Sequence, residues 1–264
     1  MNDTKDQGTT EPAVSIVMPV LNNLEWTRKG IESIRARTTV PYEFILVDNG
    51  SESETADYLR EAADVLIRND ENRGCAGAWN QGVQAASHPY VCIVNNDIEV
   101  PSGWMERLLD VLEKGEFVMV SPSIREGAFD YDLDEYNREV AERLSHRNFV
   151  SEYRGIAMLS RRDLYERIGP YDESFRFGKY EDEDMYMRIK DAGLEVATTS
   201  TVLLHHYGSK TVDAMKKVAS FDFEKANRKV FMRKWRRKLI WRRLRKFRMK
   251  RLHRRIEREY GITY

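Results

Sequence analysis

Short apolar runs alternate with longer amphipathic stretches through the first half of the chain. Residues 14–20 and 90–94 are largely apolar and rich in β-branched side chains, which is typical of strands buried on both faces. Between such runs, apolar residues recur every three or four positions, which predicts helices. The predicted strands cover residues 14–20, 44–47, 64–68, 90–94 and 117–120, and the predicted helices cover 24–38, 53–63, 74–86 and 102–113. This alternation predicts an α/β fold with a mostly parallel sheet flanked by helices.

The second half is less regular. Residues 129–147 are highly charged, and we expect a mobile segment there. Further strands are predicted at 156–159, 194–197 and 202–204, and further helices at 161–168 and 181–192. The acidic residues at 130, 132 and 134 are spaced as in a calcium-binding loop. However, Glu135 stands where the turn glycine belongs and Ala141 replaces the closing glutamate, which excludes an EF-hand.

The composition is that of a globular protein, since 41% of the residues are hydrophobic, and a length of 264 residues allows one substantial core or two small ones. We expect a disordered N-terminus over residues 1–12, a folded domain over 13–223 and a basic helical tail over 224–264. The first residues are not those of a secretory signal, and no apolar run approaches the roughly 18 residues that span a bilayer. Cys75 and Cys92 lie in apolar or glycine-rich surroundings, which indicates reduced thiols and a cytoplasmic protein.

The net charge of zero hides a strong asymmetry along the chain. Residues 225–264 hold 18 Lys or Arg and two Glu, which leaves 25 Lys or Arg and 41 Asp or Glu in the remainder. An acidic body with a basic tail is expected to meet an anionic surface through that tail. Apolar residues recur at helical intervals among the cations of 236–256, which favours an anionic membrane surface. Nucleic acid and the acidic body of the protein itself are the alternatives.

Polar groups follow the predicted strands at one edge of the sheet. Asn95-Asn96-Asp97 ends the strand at 90–94, and residues 48–51 and 19–23 end two others. Amide and carboxylate oxygens suit Mg²⁺ or Mn²⁺, ions that commonly bridge a protein to substrate phosphates. Asn72-Arg73-Gly74 opens a helix whose free N–H groups favour an anion. Each motif alone is equally a turn, but four at one edge predict a cleft for a base, a ribose and a diphosphate.

Two further groups of titratable residues follow downstream. Glu181-Asp182-Glu183-Asp184 lies at the start of a predicted helix, where acids also act simply as favourable N-terminal charges. The functional alternative is a general base tuned by neighbouring carboxylates. His205-His206 ends an apolar strand and offers an imidazole ligand to a metal that already has Asp97.

Taken in order, these motifs resemble the inverting GT-A glycosyltransferases of family 2. The resemblance runs from about residue 13 to residue 235. Its motifs are Val14 to Val20 with Asn22, Val47 to Ser51, Glu71 to Gly74 with Ala78 and Asn80, Asn95 to Asp97, Arg154 to Met158, Gly169 to Glu173, Glu181 to Asp184, His206 to Ser209 and Asn227 to Trp235. The family resemblance implies a GT-A (Rossmann-like) fold and a metal-dependent transfer of a hexosyl group from a nucleotide-diphosphate sugar to an acceptor hydroxyl.

The resemblance also implies roles for single residues. The implied metal ligands for Mn²⁺ or Mg²⁺ are Asp97 and His206, with His205 as the alternative. The implied catalytic base is Asp182, with Glu181 or Asp184 orienting the acceptor. A UDP- or dTDP-linked donor would be contacted by Pro19, Asn22, Asp48, Asn49, Arg73, Gly74, Asn80, Asn95, Asn96 and Gly155.

One departure from the family concerns Asn95, which stands where the family often has Asp. The Asn-Asn-Asp form is similar to the rhamnosyl- and galactofuranosyltransferase-like branches, and the family role implies a glycan or lipid-linked acceptor in cell-surface polysaccharide or glycoconjugate synthesis. With the basic tail, this implies an enzyme in the cytoplasm, peripheral on the inner face of the membrane. The alternative is a non-catalytic protein that binds a nucleotide sugar, or nucleic acid through its tail, but nucleic acid is the less favoured partner.

Overall fold

A computed structural model describes residues 13–208, 221–236 and 238 of the chain. The strands are β1 (Val14–Val20), β2 (Tyr42–Asp48), β3 (Val65–Arg68), β4 (Tyr90–Val94), β5 (Ile98–Glu99), β6 (Phe117–Glu126), β7 (Asn148–Val150), β8 (Ala157–Arg161) and β9 (Glu195–His206). The helices are α1 (Leu24–Arg37), α2 (Ser53–Ala62), α3 (Gly74–Ala85), α4 (Trp104–Lys114), α5 (Leu133–Arg143), α6 (Asp163–Ile168), α7 (Glu181–Asp191) and α8 (223–236).

The strands form one mixed sheet in the order β3-β2-β1-β4-β8-β6-β9-β5, with β7 paired to β9. The first four strands of that order are parallel, as the alternating pattern predicts. β8 runs antiparallel between β4 and β6, and β6 pairs in parallel with β9. The expected α/β fold is confirmed, although the second half of the sheet contains antiparallel pairs.

Helices cover both faces of the sheet. Alternate side chains of β1 divide between two apolar cores: Ile16 packs with α1, α2 and α4, and Val17 packs with α3, α6, α7 and α8. Both side chains are fully buried. The loops at the carboxyl ends of β1, β2 and β4 therefore lie together at one edge, between the two helical layers.

The charged segment 129–147 contains a helix, so the expectation of a mobile segment is wrong. Asp132 caps α5 by accepting a hydrogen bond from the N–H of Glu135 at 2.8 Å. Leu133, Val140 and Ala141 are buried, because residues at this spacing share one helix face. The charges lie mainly on the opposite face, and the cap at Asp132 was the local sequence signal for this helix.

The strands differ from prediction in two ways. The predicted strands 194–197 and 202–204 are parts of a single strand, β9. The sequence did not predict the short strands β5 and β7, which pair with β9. β5 places Asp97 beside the end of β9, since Ile98 pairs with His206.

The first part of the predicted basic tail packs on the domain. Phe231 and Trp235 of α8 are buried in the same core as α7, and Lys238 pairs with Asp191 at the end of α7. The expected boundary at residues 223 and 224 therefore falls at the start of a docked helix. The predicted disordered residues 1–12 and the tail residues 237 and 239–264 lie outside the described residues, so most of the predicted membrane-binding stretch 236–256 does too. None of the helices described is both long and apolar enough to cross a membrane.

Candidate active site

The end of β4 and the end of β9 bring a carboxylate and an imidazole together. Asp97 follows β4, is 1% exposed, and lies next to β5. His206 is the last residue of β9, and its Nε2 lies 3.2 Å from Oδ1 of Asp97. The N–H of Tyr207 also donates to the backbone carbonyl of Asp97 at 3.0 Å, which holds the two strand ends in this register.

This pair fits a divalent cation. An octahedral Mg²⁺ or Mn²⁺ has ligand bonds of about 2.1 Å, so neighbouring ligand atoms lie about 3 Å apart. Within residues 13–208, 221–236 and 238, no group of three or more His, Cys, Asp or Glu has metal-binding geometry. A hard cation of this class usually takes one or two protein ligands and completes its coordination with water and substrate phosphates. The site thus suits a metal that is shared with a diphosphate.

Glu126 orients the His206 ring, and the sequence did not predict this role. Nδ1 of His206 lies 2.9 Å from Oε1 of Glu126, the residue that pairs with it across β6 and β9. When Nδ1 donates to a carboxylate, Nε2 faces the ligand position, an arrangement common among metal-binding histidines. Burial alone would lower the pKa of His206, but the hydrogen bonds to Asp97 and Glu126 outweigh it and raise the pKa to about 9. In the absence of a metal, a proton on the imidazole therefore balances the two carboxylates.

His205 points away from this pair. Its Nδ1 lies 2.9 Å from the hydroxyl of Tyr131, and its ring stacks on Phe129 with centroids 4.5 Å apart. Burial lowers the pKa of His205 to about 4, so its imidazole is neutral near pH 7. Successive residues of a strand face opposite sides, which is why only one of the two histidines reaches Asp97.

Asp48 lies fully buried at the end of β2. Its Oδ1 accepts a hydrogen bond from the N–H of Ser51 at 2.8 Å, and its other oxygen pairs with the guanidinium of Arg68. Arg68 is 44% exposed at the end of β3 and was not among the predicted site residues. The predicted base-binding carboxylate is thus held in place by an arginine from the neighbouring strand.

Asn49 ties two loops of the predicted nucleotide pocket together. Its Nδ2 donates to Oδ1 of Asn72 at 2.8 Å and to the carbonyl of Gly74 at 3.2 Å. Its Oδ1 accepts from Nδ2 of Asn69 at 3.1 Å and from the N–H of Arg73 at 3.0 Å. The side chain therefore uses its hydrogen-bonding capacity within the protein. Asn49 shapes the pocket and is not positioned to contact a donor directly.

Three other side chains that were predicted to contact the nucleotide-sugar donor form hydrogen bonds within the protein instead. Nδ2 of Asn96 donates to Oγ1 of Thr27 on α1 at 2.7 Å, so this buried amide faces a helix and not the cleft. The side chain of Asn80 exchanges hydrogen bonds with the backbone of Tyr171 at 2.9 and 2.8 Å. Oδ1 of Asn22 accepts from the backbone N–H of residue 52 at 2.8 Å. These asparagines join the loops that surround the cleft.

Among the remaining predicted donor contacts, Pro19, Asn95 and Arg73 are more accessible, whereas Gly74 is buried. Pro19 and Asn95 are half-buried at the ends of β1 and β4. Arg73 is 47% exposed, and its Nη2 lies 3.4 Å from Oε2 of Glu173. Gly74 begins α3 with a φ of 75° and leaves no room for a side chain, because an added Cβ would lie 2.8 Å from the N atom of Phe177. Arg73 is therefore the exposed cation of this group, and Gly74 allows the close approach of α3 to Phe177.

Asp182 lies in the first turn of α7 and is half-buried. Its Oδ1 accepts a hydrogen bond from the N–H of Glu183 at 2.8 Å. Its Oδ2 faces Gly155, where an added Cβ would lie only 2.5 Å away. Burial raises the pKa of Asp182 above its usual range, and the nearby charge of Arg154 partly offsets this. A carboxylate with a raised pKa in a cleft is a candidate proton acceptor.

Arg154 acts electrostatically on both Asp182 and Glu126, the carboxylate that orients His206. Its charge lowers the pKa of both Asp182 and Glu126, although burial of Asp182 and the His206 hydrogen bond to Glu126 are the larger influences on those groups. Backbone hydrogen bonds between Arg154 and Oγ of Ser121, at 3.2 and 3.3 Å, fix its position. The positive charge of Arg154 therefore favours the ionised form of both carboxyl groups.

Glu181 is 4% exposed beside Asp182. Burial, followed by the charge of Asp182, raises the pKa of Glu181 well above its usual range. It therefore keeps its proton at a pH where ordinary glutamates are ionised. A neutral Glu181 leaves Asp182 as the carboxylate of this pair that ionises first.

Asp184 lies away from the predicted acceptor side, which corrects its assignment as an orienting residue. It is fully buried and accepts hydrogen bonds from Nε1 of Trp235 at 2.7 Å and Nζ of Lys234 at 3.0 Å. Nε of Arg188 also donates to it at 3.0 Å. Two residues along a helix are about 200° apart, so Asp182 and Asp184 project from different faces. Asp184 anchors α8 to α7.

Comparison with protein families gives a match to the model described as Glycosyl transferase family 2 over residues 15–175, more than half of the 264-residue chain. The matched region contains Asp48, Arg73, Asp97 and Gly155. The sequence after residue 175, which carries Asp182 and His206, lies beyond it.

Two curated relatives illustrate the similarity. A pre-mycofactocin glycosyltransferase of Mycobacterium tuberculosis is 28% identical over 213 residues, covering 75% of this chain and 43% of the relative. Glycosyltransferase AglE of Haloferax volcanii is 26% identical over 224 residues, covering 79% of this chain and 71% of the relative. The chain thus spans less than half the length of the mycobacterial relative.

Solved structures share the fold. GalNAc-T7 with UDP, GalNAc and Mn²⁺ superposes with a TM-score of 0.61 at 15% identity, covering 75% of this chain and 44% of that one. The mannosyltransferase PcManGT of Pyrobaculum calidifontis, in complex with GDP-Man and Mn²⁺, has a TM-score of 0.60 at 21% identity, covering 76% of this chain and 59% of that one. At these identities the likeness shows the fold, which is GT-A-like.

Proposed function

Because the chain belongs to glycosyltransferase family 2, we propose that it moves a sugar from a nucleotide-diphosphate donor to an acceptor hydroxyl with inversion at the anomeric carbon. The observation that supports this most is the 3.2 Å approach of His206 Nε2 to Asp97 Oδ1 at the polar edge of the sheet. Open α/β sheets bind their ligands at this edge, and the pair has the spacing of neighbouring metal ligands.

Different residues around the cleft contact different parts of the nucleotide-sugar donor. Asp48 is fully buried and acts on the base pocket through Arg68, whose side chain is 44% exposed, and the loops joined by Asn49 shape that pocket. Arg73, whose exposed side chain lies beside the start of α3, attracts the diphosphate. Asn95 is the half-exposed amide that reaches the donor.

Asp182 is the general base. Its raised pKa makes the carboxylate a stronger proton acceptor than an ordinary aspartate, and ionisation is favoured because the adjacent Glu181 stays neutral. The acceptor hydroxyl loses its proton to Asp182 as its oxygen attacks the anomeric carbon from the face opposite the diphosphate. The bond from that carbon to the leaving oxygen breaks, and the nucleoside diphosphate carries away the electron pair.

Mn²⁺ or Mg²⁺, held by Asp97 and His206, would offset the charge that develops on the leaving diphosphate. Glu126 keeps the His206 ring in the orientation that presents Nε2 to the ion. Arg154 contributes a further positive charge near the same place.

The finer assignment rests on the sequence. Asn95 in place of a family Asp favours a donor of the rhamnosyl or galactofuranosyl branches, carried by dTDP or UDP. The acceptor is then a glycan or a lipid-linked glycan in cell-surface polysaccharide or glycoconjugate synthesis. Incubating the protein with each donor and a lipid-linked acceptor, followed by mass spectrometry of the product, tests this assignment.

The basic sequence of residues 236–256 supports a peripheral position on the inner face of the membrane. Each Lys or Arg near an anionic lipid surface contributes about 1 kcal/mol to the free energy of membrane binding. We expect salt-sensitive binding to anionic vesicles that is lost when residues 239–264 are deleted. Stronger binding to RNA than to vesicles would favour the nucleic-acid alternative.

The central experiment measures thermal unfolding with UDP, GDP and dTDP, each with and without Mn²⁺ or Mg²⁺. A ligand present at 100 times its dissociation constant stabilises the folded state by about 2.7 kcal/mol. We expect one nucleotide to raise the melting temperature only when metal is present. We also expect the sugar conjugate of that nucleotide to be a substrate for transfer. Stabilisation without metal, or no transfer from any sugar conjugate of the bound nucleotide, would contradict it.

A further inference from the structure

The loop that leads into α7 has an unusual backbone. Phe177, Lys179 and Tyr180 have φ values of 62°, 76° and 76°, in the left-handed region that side-chain-bearing residues seldom adopt. Such conformations persist only where the surrounding structure imposes them. Tyr180 directly precedes Glu181 and Asp182, so the path of this loop sets where the first turn of α7 begins.

One side chain of α8 holds this loop. Asn227 is 1% exposed, and its Oδ1 accepts from the N–H of Arg176 at 3.1 Å. Its Nδ2 lies within hydrogen-bond distance of three carbonyls, those of Arg176 at 2.9 Å, Gly178 at 2.8 Å and Lys179 at 3.1 Å. A single buried amide therefore satisfies the turn that the left-handed residues create.

The opposite side of the loop rests on the start of α3. The N–H of Cys75 donates to the carbonyl of Phe177 at 2.6 Å, and Gly74 packs against the backbone of Phe177 without room for a Cβ. Phe223 of α8 packs on the ring of Phe177 with centroids 5.5 Å apart. The loop is thus clamped between the helix that begins the donor pocket and the helix that carries Asn227.

We propose that Asn227 is a positioning residue for the catalytic base. By fixing residues 176–180, it sets the first turn of α7 so that the Asp182 carboxylate stays against Gly155 and directed to the acceptor. This inference rests on the proposed function, since it assigns Asn227 a part in the same transfer reaction. It also makes the beginning of the basic C-terminal segment part of the active-site framework.

A purely structural role would be to dock α8 on the domain. Other groups already do this: Nε1 of Trp235 donates to Asp184 at 2.7 Å, and Lys234 pairs with Asp172 at 2.9 Å. These contacts lie more than a helical turn beyond Asn227 and do not touch the loop. They provide a matched control, because Trp235→Phe removes one buried hydrogen bond of α8 and leaves those to residues 176–179 in place.

The test combines hydrogen exchange with kinetics on the full chain. Asn227→Asp keeps the shape of the side chain but replaces the amide donor by a carboxylate facing three carbonyls. We expect faster exchange in peptides covering Cys75 and residues 176–184, and a kcat lower by about 10²-fold, the cost of a misplacement of about 1 Å. The dissociation constant for Mn²⁺ should be unchanged, because the proposed ligands Asp97 and His206 lie outside this loop. Trp235→Phe should keep both loop protection and kcat.

Asn227→Ser is a second variant, for use if Asn227→Asp does not fold. It should also show faster loop exchange and a lower kcat than Trp235→Phe. Loss of loop protection with an unchanged kcat would overturn the proposal, as would an equal loss of kcat in Trp235→Phe. If the unmodified protein transfers no sugar, the proposed function fails. Hydrogen exchange then still shows separately whether Asn227 holds the loop.

Discussion

Gly155 lies directly against the carboxylate of Asp182. A Cβ added at Gly155 would be 2.5 Å from Oδ2 and 3.1 Å from both Cβ and Cγ of Asp182. The distance to Oδ2 is shorter than non-bonded contacts allow and the other two are tight, so any side chain at position 155 must push the carboxylate aside. The glycine therefore sets the location of the proposed base as directly as the start of α7 does.

Replacing Gly155 by Ala should lower kcat by about 10²-fold, because it displaces the base by the order of 1 Å. Steady-state transfer kinetics measure this effect. Gly193→Ala at the other end of α7 is the control, since Gly193 has a φ of 74° and nothing lies within 4 Å of an added Cβ. That variant should lose some stability and keep its kcat, and a fully active Gly155→Ala would refute the packing argument.

Removing the base carboxylate should slow transfer while donor binding persists. Asp182→Asn is expected to reduce kcat by about 10²–10⁴-fold, the usual contribution of a general base. Nucleotide binding with Mn²⁺, measured by calorimetry, should change little because the proposed metal ligands are Asp97 and His206. Full transfer activity in a folded Asp182→Asn protein would exclude the assignment.

Asp184→Asn should affect stability and not chemistry. The substitution leaves Lys234 and Arg188 facing a neutral amide, and a weakened buried charged hydrogen bond costs about 1–3 kcal/mol. Denaturant unfolding should show this loss, with kcat within a small factor of the unmodified value at a temperature where both proteins are folded. A large loss of kcat without a loss of stability would return Asp184 to the catalytic group.

The metal-binding pair predicts different outcomes for the two adjacent histidines. His206→Ala should weaken Mn²⁺ binding strongly, because it removes one of the two proposed protein ligands. His205→Gln, which can keep a hydrogen bond to the Tyr131 hydroxyl, should leave Mn²⁺ affinity unchanged. Electron paramagnetic resonance of free Mn²⁺ during titration reports binding without any need for turnover. Equal loss of Mn²⁺ affinity in the two variants would contradict the β5–β9 register, which places His206 and not His205 beside Asp97.

The buried Glu181 predicts a loss of stability as the pH rises. Its pKa in the folded protein lies above its usual value of 4.5, chiefly because of burial and then because of Asp182. The stabilising contribution is complete below pH 4.5, where both states hold the proton, and is lost as the pH rises through the folded-state pKa. His206, with a pKa raised to about 9, changes stability in the same direction over a higher range.

Glu181→Gln separates the two contributions. In metal-free buffer, its free energy of unfolding should vary less with pH above 4.5 than that of the unmodified protein. Urea unfolding at a series of pH values measures the difference. A parallel pH dependence in the two proteins would show that Glu181 does not keep its proton on folding.

Local patterns were enough to predict the first half of the fold. Residues 14–20 and 90–94 form strands with the predicted bounds, because a buried strand needs a continuous apolar run whatever its partners are. The helix α5 was not predicted, because its many charged residues made the four buried positions and the capping aspartate difficult to recognise. Both signals were present in the sequence, but the periodicity was weak beside so many polar residues.

The sequence by itself determined which chemical groups end the strands: Asp48, Asn95 to Asp97, and the two histidines of β9. Only the tertiary structure decided which of them meet. The choice of His206, its partner Glu126 and the docking role of Asp184 depend on strand register and helix rotation. A shift of one residue reverses the face of a strand side chain, and two residues turn a helix by about 200°. The local sequence pattern therefore identifies the polar side chains of this site, and the long-range pairing of strands and helices determines their roles.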